Sequence, residues 1–435
     1  MPLERFKKNI ISKKARVGVV GLGYVGLPLA VSFAKAGFKV TGIDTDRSKV
    51  ACLKKGGSYI LDVSAAAVRD VTRRDYFHAV SDFKAVGSLD AVIICVPTPL
   101  AKTKEPDMSF ILGAARGIAK HLKKGQLVTL ESTTYPGTTD EVLRPVLEKS
   151  GLKAERDFFL AFSPERIDPG NKTFGTTTIP KVIGGIGPAS TEAARLLYGS
   201  VVKCVVPVSS ARAAEMTKLL ENTFRSANIA LINEMAMVAD KLGIDIWEVI
   251  EAAKTKPFGF MAFYPGPGTG GHCLPVDPLY LSWKSMRHGH HARMIELASE
   301  INKSMPDHVV ERLVKILNAK RVPAKRARVL VLGVTYKRDI DDLRESPALD
   351  VIEGLVELGA TVSYSDPFVK RFTHQGRSYT SQTLSPLLLK KQDIVLLLTD
   401  HSAFDKAMIE RHARLIFDTR NVFKRPGSDG RLFVL

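Results

Sequence analysis

RVGVVGLGYVGLPLAVSFAKAGFKVTGID, residues 16–44, decides the fold. Arg16 to Val20 is a short β-prone run, and LPLAVSFAKAG carries apolar residues at helical spacing up to Gly37. KVTGID then reads as a second strand closing on Asp44, so the stretch is a complete βαβ unit. Its turn holds Gly21, Gly23 and Gly26 in the spacing G-x-G-x-x-G. Gly21 suits the tight turn, Gly23 lets the backbone approach a pyrophosphate at the helix N-terminus, and Gly26 permits close packing of helix on strand. Asp44 is placed to hold a ribose 2′-hydroxyl, and its charge would repel a 2′-phosphate. This favours NAD over NADP, although Arg47 and Lys49 lie nearby.

The second half echoes the first. RVLVLG ends at Gly333, SPALDVIEGLVELG has a helical pattern ending at Gly359, and TVSYSDP supplies a strand closing on Asp366. DAVIICVP and DIVLLLTD match as apolar parallel-type strands that each follow an aspartate. Between the halves, Ala211 to Gly243 lacks proline and repeats apolar residues at Met216, Leu220, Phe224, Ala227, Leu231, Met235, Val238 and Leu242. One helix of about thirty residues, roughly 45 Å long, fits this segment. HARMIELASEINKSMPDHVVERLVKILN reads as further helices. The expected class is therefore α/β: two Rossmann-like doubly wound domains joined by a central helical domain with a long connecting helix. The expected boundaries are residues 1–205, 206–308 and 309–435.

At 435 residues, with 45% hydrophobic and 25% charged residues, the composition is that of a globular chain rather than a disordered one. No stretch approaches the apolar length of a membrane span, and MPLERFKKNIISKKAR lacks the apolar core of a signal peptide. A cytoplasmic protein without a membrane partner is expected. The net charge of +18 favours partners that carry phosphate. Because acids are interspersed and no basic run is interleaved with aromatics, a phosphorylated small molecule is favoured over nucleic acid. The four cysteines are too few for a disulfide scaffold. Cys52, Cys95 and Cys204 read as small core residues, the last two in strand-like runs.

Cys273 differs, since it follows GPGTGGH and precedes LPVDP. Glycine and proline there predict a loop that exposes the thiol. Gly266, Gly268, Gly270 and Gly271 would offer backbone N–H groups to phosphate or oxyanion oxygens, and Asp277 lies close enough to act as an acid–base partner. A zinc site is not expected, because one Cys beside one His lacks a second ligand cluster. On the long helix Lys218 and Asn222, four apart, share one face with Glu215 and Arg225. By itself that stripe fits an ordinary solvated face. Glu131 to Gly137 and Phe162 to Arg166 each follow a strand-like run, at the carboxyl end where doubly wound sheets bind ligands.

Together GLGYVGLP, VPTP, ESTTYPGT, FSPERIDPG, AEMTKLLENTFR, GPGTGGHCLPVDP and GVTYKRDIDDLRESP resemble the UDP-sugar 6-dehydrogenase family over nearly the whole chain. FSPERIDPGN, TKPFGF and GGHCLPVDP look like the branch acting on UDP-N-acetylglucosamine. Arg166 to Pro169 depart from the UDP-glucose pattern. The resemblance implies oxidation of a C6 alcohol to a carboxylate with two NAD in succession. It assigns Lys218 and Asn222 to the C6 oxygen and the water, and Cys273 to attack on the aldehyde. Glu165 or Asp277 would assist hydrolysis of the thioester, and Thr133 would position the reacting groups. With Gly21, Gly23, Gly26 and Asp44, it places Tyr24, Val25, Lys49, Thr98, Thr133 and Arg344 on NAD. Glu165, Arg166, Tyr264, Gly268, Lys337 and Arg420 fall to the UDP-sugar, together with Lys218 and Asn222. A homodimer or larger homo-oligomer through the central helices is expected.

Other readings stay open at this level. UDP-N-acetylmannosamine or UDP-glucose could be the substrate. A two-electron dehydrogenase of the 6-phosphogluconate type would not need Cys273. A non-catalytic nucleotide-sugar-binding protein could lose Lys218, Asn222 and Cys273, yet all three are present.

Overall fold

The computed structural model describes residues 2–60, 62–100, 105–166, 175, 177–271, 273–423 and 430–435. Residues 1–221 and 283–289 form one compact unit, and 222–282 with 290–435 form another.

The first unit is built on strands β1 (Arg16–Val20), β2 (Lys39–Ile43), β3 (Phe77–Val80), β4 (Ala91–Ile94), β5 (Leu127–Leu130), β6 (Phe159–Phe162), β7 (Lys181–Gly185) and β8 (Val205–Pro207). They make one sheet in the order β3-β2-β1-β4-β5-β6-β7-β8. Neighbouring strands pair in parallel except β6 with β7, which are antiparallel. β4, β5 and β6 are buried along their whole length, as strands covered by helices on both faces must be. The core has two layers: Leu27, Ala30 and Phe33 of the helix Gly26–Lys35 pack on one face, and Ile111, Ala115 and Ile118 of Ser109–Ala119 lie on the other.

The second unit has β9 (Arg328–Leu332), β10 (Thr361–Ser365), a hairpin of β11 (Arg371–His374) with β12 (Arg377–Thr380), then β13 (Ile394–Leu397), β14 (Ile416–Asp418) and β15 (Leu432–Val434). Its main sheet is parallel in the order β10-β9-β13-β14-β15. The echo between the halves extends to atoms. Gly21 and Gly333 both have positive φ, +91° and +77°. Asp44 Oδ2 accepts the Leu22 N–H at 2.8 Å, and Asp366 Oδ2 accepts the Val334 N–H at 2.8 Å. In each half the carboxylate closing the second strand clamps the turn after the first.

The long helix runs from Ala211 to Leu242, as its periodicity predicts. Its burial differs from the expectation. Lys218 and Asn222 are 7% and 9% exposed and Glu215 is fully buried, so these three do not form a solvated face, whereas Arg225 of the same stripe is exposed. The apolar residues Leu220, Phe224, Leu231, Val238 and Leu242 are 44–67% exposed.

Three further expectations are corrected. Cys273 is not on a loop but begins the helix Cys273–Met286. Pro275 falls in the first turn, where a missing N–H leaves no bond unmade, while Pro278 lies inside the helix and forgoes the bond to the Leu274 carbonyl. Arg293–Ala319 is one helix, not several, with Pro306 inside it. Proline there cannot bond the Asn302 carbonyl one turn back, and Gly268 passes beside that oxygen: a Cβ on Gly268 would lie 3.0 Å from it. Cys204 is exposed just before the edge strand β8 rather than buried, and Cys52 is half-buried; only Cys95 is a core residue. No described helix is long and apolar enough to cross a membrane.

Candidate active site

In the first unit the glycine turn works by two opposite uses of missing side chains. A Cβ on Gly26 would sit 1.8 Å from the Gly21 oxygen, so that position serves helix-on-strand packing. Around Gly23 a Cβ would meet nothing within 4 Å, leaving space above the turn for a ligand. The helix that follows has Val25 at its cap and no side-chain hydrogen bond there, whereas Asp46 caps the next helix. Anions are favoured at such an end. Tyr24 beside it is 42% exposed. Asp44 accepts the N–H of Leu22 and that of Asp46 at 2.9 Å, with Lys49 Nζ 3.9 Å away. An ionised carboxylate has about four acceptor positions, so two remain for ribose hydroxyls.

At the carboxyl ends of β4 and β5, the Thr98 hydroxyl donates to the Thr133 carbonyl at 2.8 Å, which joins two residues predicted for the cofactor. Ser132 donates to the Val96 carbonyl at 2.7 Å and ties the same two segments. Glu215 receives three donors: the N–H of Gly137 at 2.6 Å, that of Thr139 at 2.8 Å and the Thr139 hydroxyl at 2.7 Å. Burial nevertheless pushes its carboxyl up to about 7. Glu215 thus anchors the ESTTYPGTT segment to the long helix, a role its placement in the helix stripe did not suggest. Glu165, just past β6, accepts the Arg166 N–H at 2.8 Å and lies 3.1 Å from Lys181 Nζ. The Arg166 guanidinium reaches Glu221 at 2.6 Å and the Pro180 carbonyl at 2.8 Å. Positions 167–171, the second half of the FSPERIDPGN motif, and His272 lie outside the described residues.

In the second unit, Asn222 donates through Nδ2 to Asp277 Oδ2 at 2.5 Å, both groups being buried. Cys273 is exposed at the first residue of its helix, and Asp277 is one turn on along the same face. Two of the four glycine N–H groups in the loop before it are already engaged. Gly266 N–H is taken by Asn233 Oδ1 at 3.0 Å and Gly271 N–H by the Arg344 carbonyl at 2.9 Å. Gly270 and Gly271 also serve close approach, since a Cβ on either would strike Tyr336 at 2.5 or 2.8 Å. Arg420 packs against Gly266 and donates through Nε to the Leu398 carbonyl at 2.8 Å.

Lys337 shares the second unit with Arg420, its carbonyl held by the Thr335 hydroxyl at 2.8 Å. Arg344 forks onto Asp342 at 2.6 to 3.0 Å. Tyr264 stacks on Trp247 and donates its hydroxyl to Glu251 at 2.8 Å. Among the described residues no group of three His, Cys, Asp or Glu side chains could hold a metal. Sequence reasoning missed Lys181. A lone lysine opening a short strand gives no signal of the carboxylates that reach it from distant segments.

Residues 15–202 match the NAD binding domain, 212–304 the central domain and 330–425 the UDP binding domain of the UDP-glucose/GDP-mannose dehydrogenase family. The chain belongs to that family. A UDP-N-acetyl-D-glucosamine 6-dehydrogenase from Pseudomonas aeruginosa is 41% identical over 82% of this chain and 84% of its own. A UDP-N-acetyl-D-mannosamine dehydrogenase from Methanocaldococcus jannaschii is 34% identical over 97% of this chain and 96% of its own. A solved UDP-D-ManNAc dehydrogenase from Pyrococcus horikoshii has a TM-score of 0.88 at 32% identity, covering 96% and 98% of the two chains. As a member of the UDP-glucose/GDP-mannose dehydrogenase family the chain is an oxidoreductase that uses NAD. The open space above Gly23, the uncapped helix and the Asp44 acceptors fit that cofactor.

Proposed function

We propose that the chain oxidises the C6 alcohol of a UDP-N-acetylhexosamine to the carboxylate, with UDP-N-acetylglucosamine preferred. The observation that carries this reading is the Cys273 turn: an exposed thiol opens a helix, and the buried Asp277 one turn on is bonded to Asn222. A dehydrogenase that stops at the aldehyde has no use for a nucleophile there. Bound NAD supplies the hydride acceptor for both oxidations.

Lys218 and Asn222 bind the C6 oxygen, and the ammonium stabilises negative charge as it develops there. The Cys273 sulfur bonds to the aldehyde carbon as the carbonyl π pair moves to the oxygen, which takes up the thiol proton; that carbon then gives up its hydride and the oxygen its proton as the thioester carbonyl forms. Glu165 or Asp277 removes a proton from the water that hydrolyses it. Thr133 orients the reacting groups. Gly21, Gly23, Tyr24, Val25, Gly26, Asp44, Lys49, Thr98 and Arg344 hold NAD. Arg166, Tyr264 and Gly268 line the sugar, while Lys337 and Arg420 pair with the UDP phosphates. In this reading residues 1–205, 206–308 and 309–435 act as the NAD-binding, central and UDP-sugar-binding domains of a cytoplasmic homodimer or larger homo-oligomer. The exposed seam of the long helix supports self-association, because apolar area of that extent is ordinarily covered.

The mannosamine epimer is the second reading, favoured by the names of the Methanocaldococcus and Pyrococcus relatives. The two sugars share the acetamido group and differ only at C2. Measuring NADH released per sugar with UDP-N-acetylglucosamine, UDP-N-acetylmannosamine and UDP-glucose separates the readings. Two NADH per sugar and the highest kcat/KM for the first support the proposal. One NADH per sugar, or preference for either of the others, overturns it.

A further inference from the structure

Lys181 opens β7, is 4% exposed, and carries an ammonium where apolar side chains would be expected. Burying a charge in this way is unfavourable unless it is paired. Its Nζ lies 2.8 Å from Glu131 Oε2 and 3.1 Å from Glu165 Oε2, and 5.4 Å above the Tyr198 ring. Glu131, just past β5, is itself buried and accepts the Tyr198 hydroxyl on its other oxygen at 2.5 Å. Tyr198 also meets the Thr129 hydroxyl at 3.1 Å. One cation is therefore shared by two carboxylates, and only Glu165 is outside the core. Burial alone would depress the Lys181 ammonium, but Glu131 and Glu165 outweigh it and raise it. The same burial raises the Glu131 carboxyl. Among the described residues, the buried Cys95 also lies within electrostatic reach of Glu165, and the adjoining Arg166 pairs in turn with Glu221.

We infer that Lys181 is a positioning residue which, balanced against Glu131, sets the ionisation and the direction of the Glu165 carboxylate for activation of the hydrolytic water. The inference rests on the proposed role of Glu165 as the base. In that step Glu165 takes a proton from water as the water oxygen bonds to the thioester carbon. The carbon–sulfur bond breaks, its electron pair returns to the Cys273 sulfur, and the carboxylic acid is released. Lys181 Nζ holds one Glu165 oxygen and the Arg166 N–H holds the other, so the carboxylate has a fixed plane before substrate arrives. The cation favours the ionised base, and the Glu131 charge disfavours it.

The two neighbours must then act in opposite directions. Lys181→Met should move the ascending pH limb of thioester hydrolysis upward by about 1 to 3 pH units, the range expected for losing an opposite charge at hydrogen-bond distance. Glu131→Gln should move it downward. A merely structural contribution would slow both variants without moving their limbs apart. Should Lys181→Met fail to fold because Glu131 is left buried and unpaired, the double variant Glu131→Gln/Lys181→Met removes both charges. Its limb should lie above the wild-type position. The assay incubates the enzyme with NAD and UDP-N-acetylglucosamine, quenches in acid, and follows decay of the Cys273 adduct by mass spectrometry across pH. Glu165→Gln is the reference. Wild-type decay in that variant overturns the role of Glu165 itself, whatever Lys181 does. Slow decay there, with limbs of the Lys181 and Glu131 variants coincident or moved in the same direction, overturns the role of Lys181.

Discussion

Gly23→Ala and Gly26→Ala make identical chemical changes three residues apart, and the structure gives them opposite consequences. At Gly26 the added carbon would lie 1.8 Å from the Gly21 oxygen, so one of the two must retreat by about 1.6 Å to reach ordinary contact. Gly21 has little room to do so. It holds φ at +91°, its N–H donates to the Ile43 carbonyl at 2.8 Å, and a Cβ on it would lie 2.5 Å from the Cys95 carbonyl oxygen. Overpacking of this kind costs roughly 1 to 3 kcal/mol, which in a unit of this size lowers Tm by about 2 to 10 °C. Gly23 has open space around its Cβ position and no positive φ, so alanine there should keep or slightly raise Tm, by less than about 1 kcal/mol. Its methyl group would occupy the space that NAD needs. Losing one charge-assisted hydrogen bond to the pyrophosphate, about 1.5 to 3 kcal/mol, weakens NAD roughly ten- to hundredfold. Thermal unfolding and NAD titration of both variants test this. A Gly23→Ala protein with wild-type NAD affinity, or a Gly26→Ala protein with unchanged Tm, would refute the reasoning.

Cys273→Ser should abolish formation of the carboxylate while leaving NAD and UDP-sugar affinity within about twofold, as the thiol is needed only after the first oxidation; sustained release of two NADH per sugar would contradict it. Glu215 should make stability fall as pH rises. Its folded-state carboxyl is near 7 against 4.5 when unfolded, so its protonated form contributes fully below 4.5 and is lost through 7. The window is on the order of 3 kcal/mol, and Glu215→Gln should flatten Tm between pH 5 and 8; an undiminished slope would show that other groups carry it. Leu231→Asp places a charge on the exposed apolar seam of the long helix, where Leu231 is 51% exposed. Sedimentation should show smaller assemblies for the variant than for the wild type, whereas a wild type that stays monomeric at micromolar concentration removes the seam as an interface.

The parts of the fold that were legible are those fixed by short-range rules. Residues 16–44 carry period, turn and acceptor within one segment, and RVLVLG to Asp366 repeats them, so strand, helix and clamp carboxylate could all be read locally. The misread start of the Cys273 helix was also a local matter, decided by the wrong rule. Pro275 counts as a breaker inside a helix but is harmless in its first turn, and that distinction depends on knowing where the helix begins. The loop glycines were read as open to a ligand. Gly270 and Gly271 are also required by Tyr336, a neighbour more than sixty residues away that no local pattern announces.

The long helix shows why the site resisted a sequence reading more than the fold did. Its periodicity fixed that it is a helix, but periodicity assigns the apolar stripe to the interior. Here Leu220 and Leu231 are half exposed, while Glu215, Lys218 and Asn222 are buried. A polar stripe can be buried only when groups elsewhere answer it one by one. Glu215 is answered by Gly137 and Thr139, and Asn222 by Asp277. Lys181 is the same case without even a stripe to mark it, for its two carboxylates come from the ends of β5 and β6. Apolar burial is nondirectional and leaves its pattern in sequence, whereas buried charge is satisfied by specific partners and leaves its pattern only in three dimensions. That asymmetry separates what this chain folds into, which its short segments state, from the side chains that carry its chemistry, which are defined by what they face.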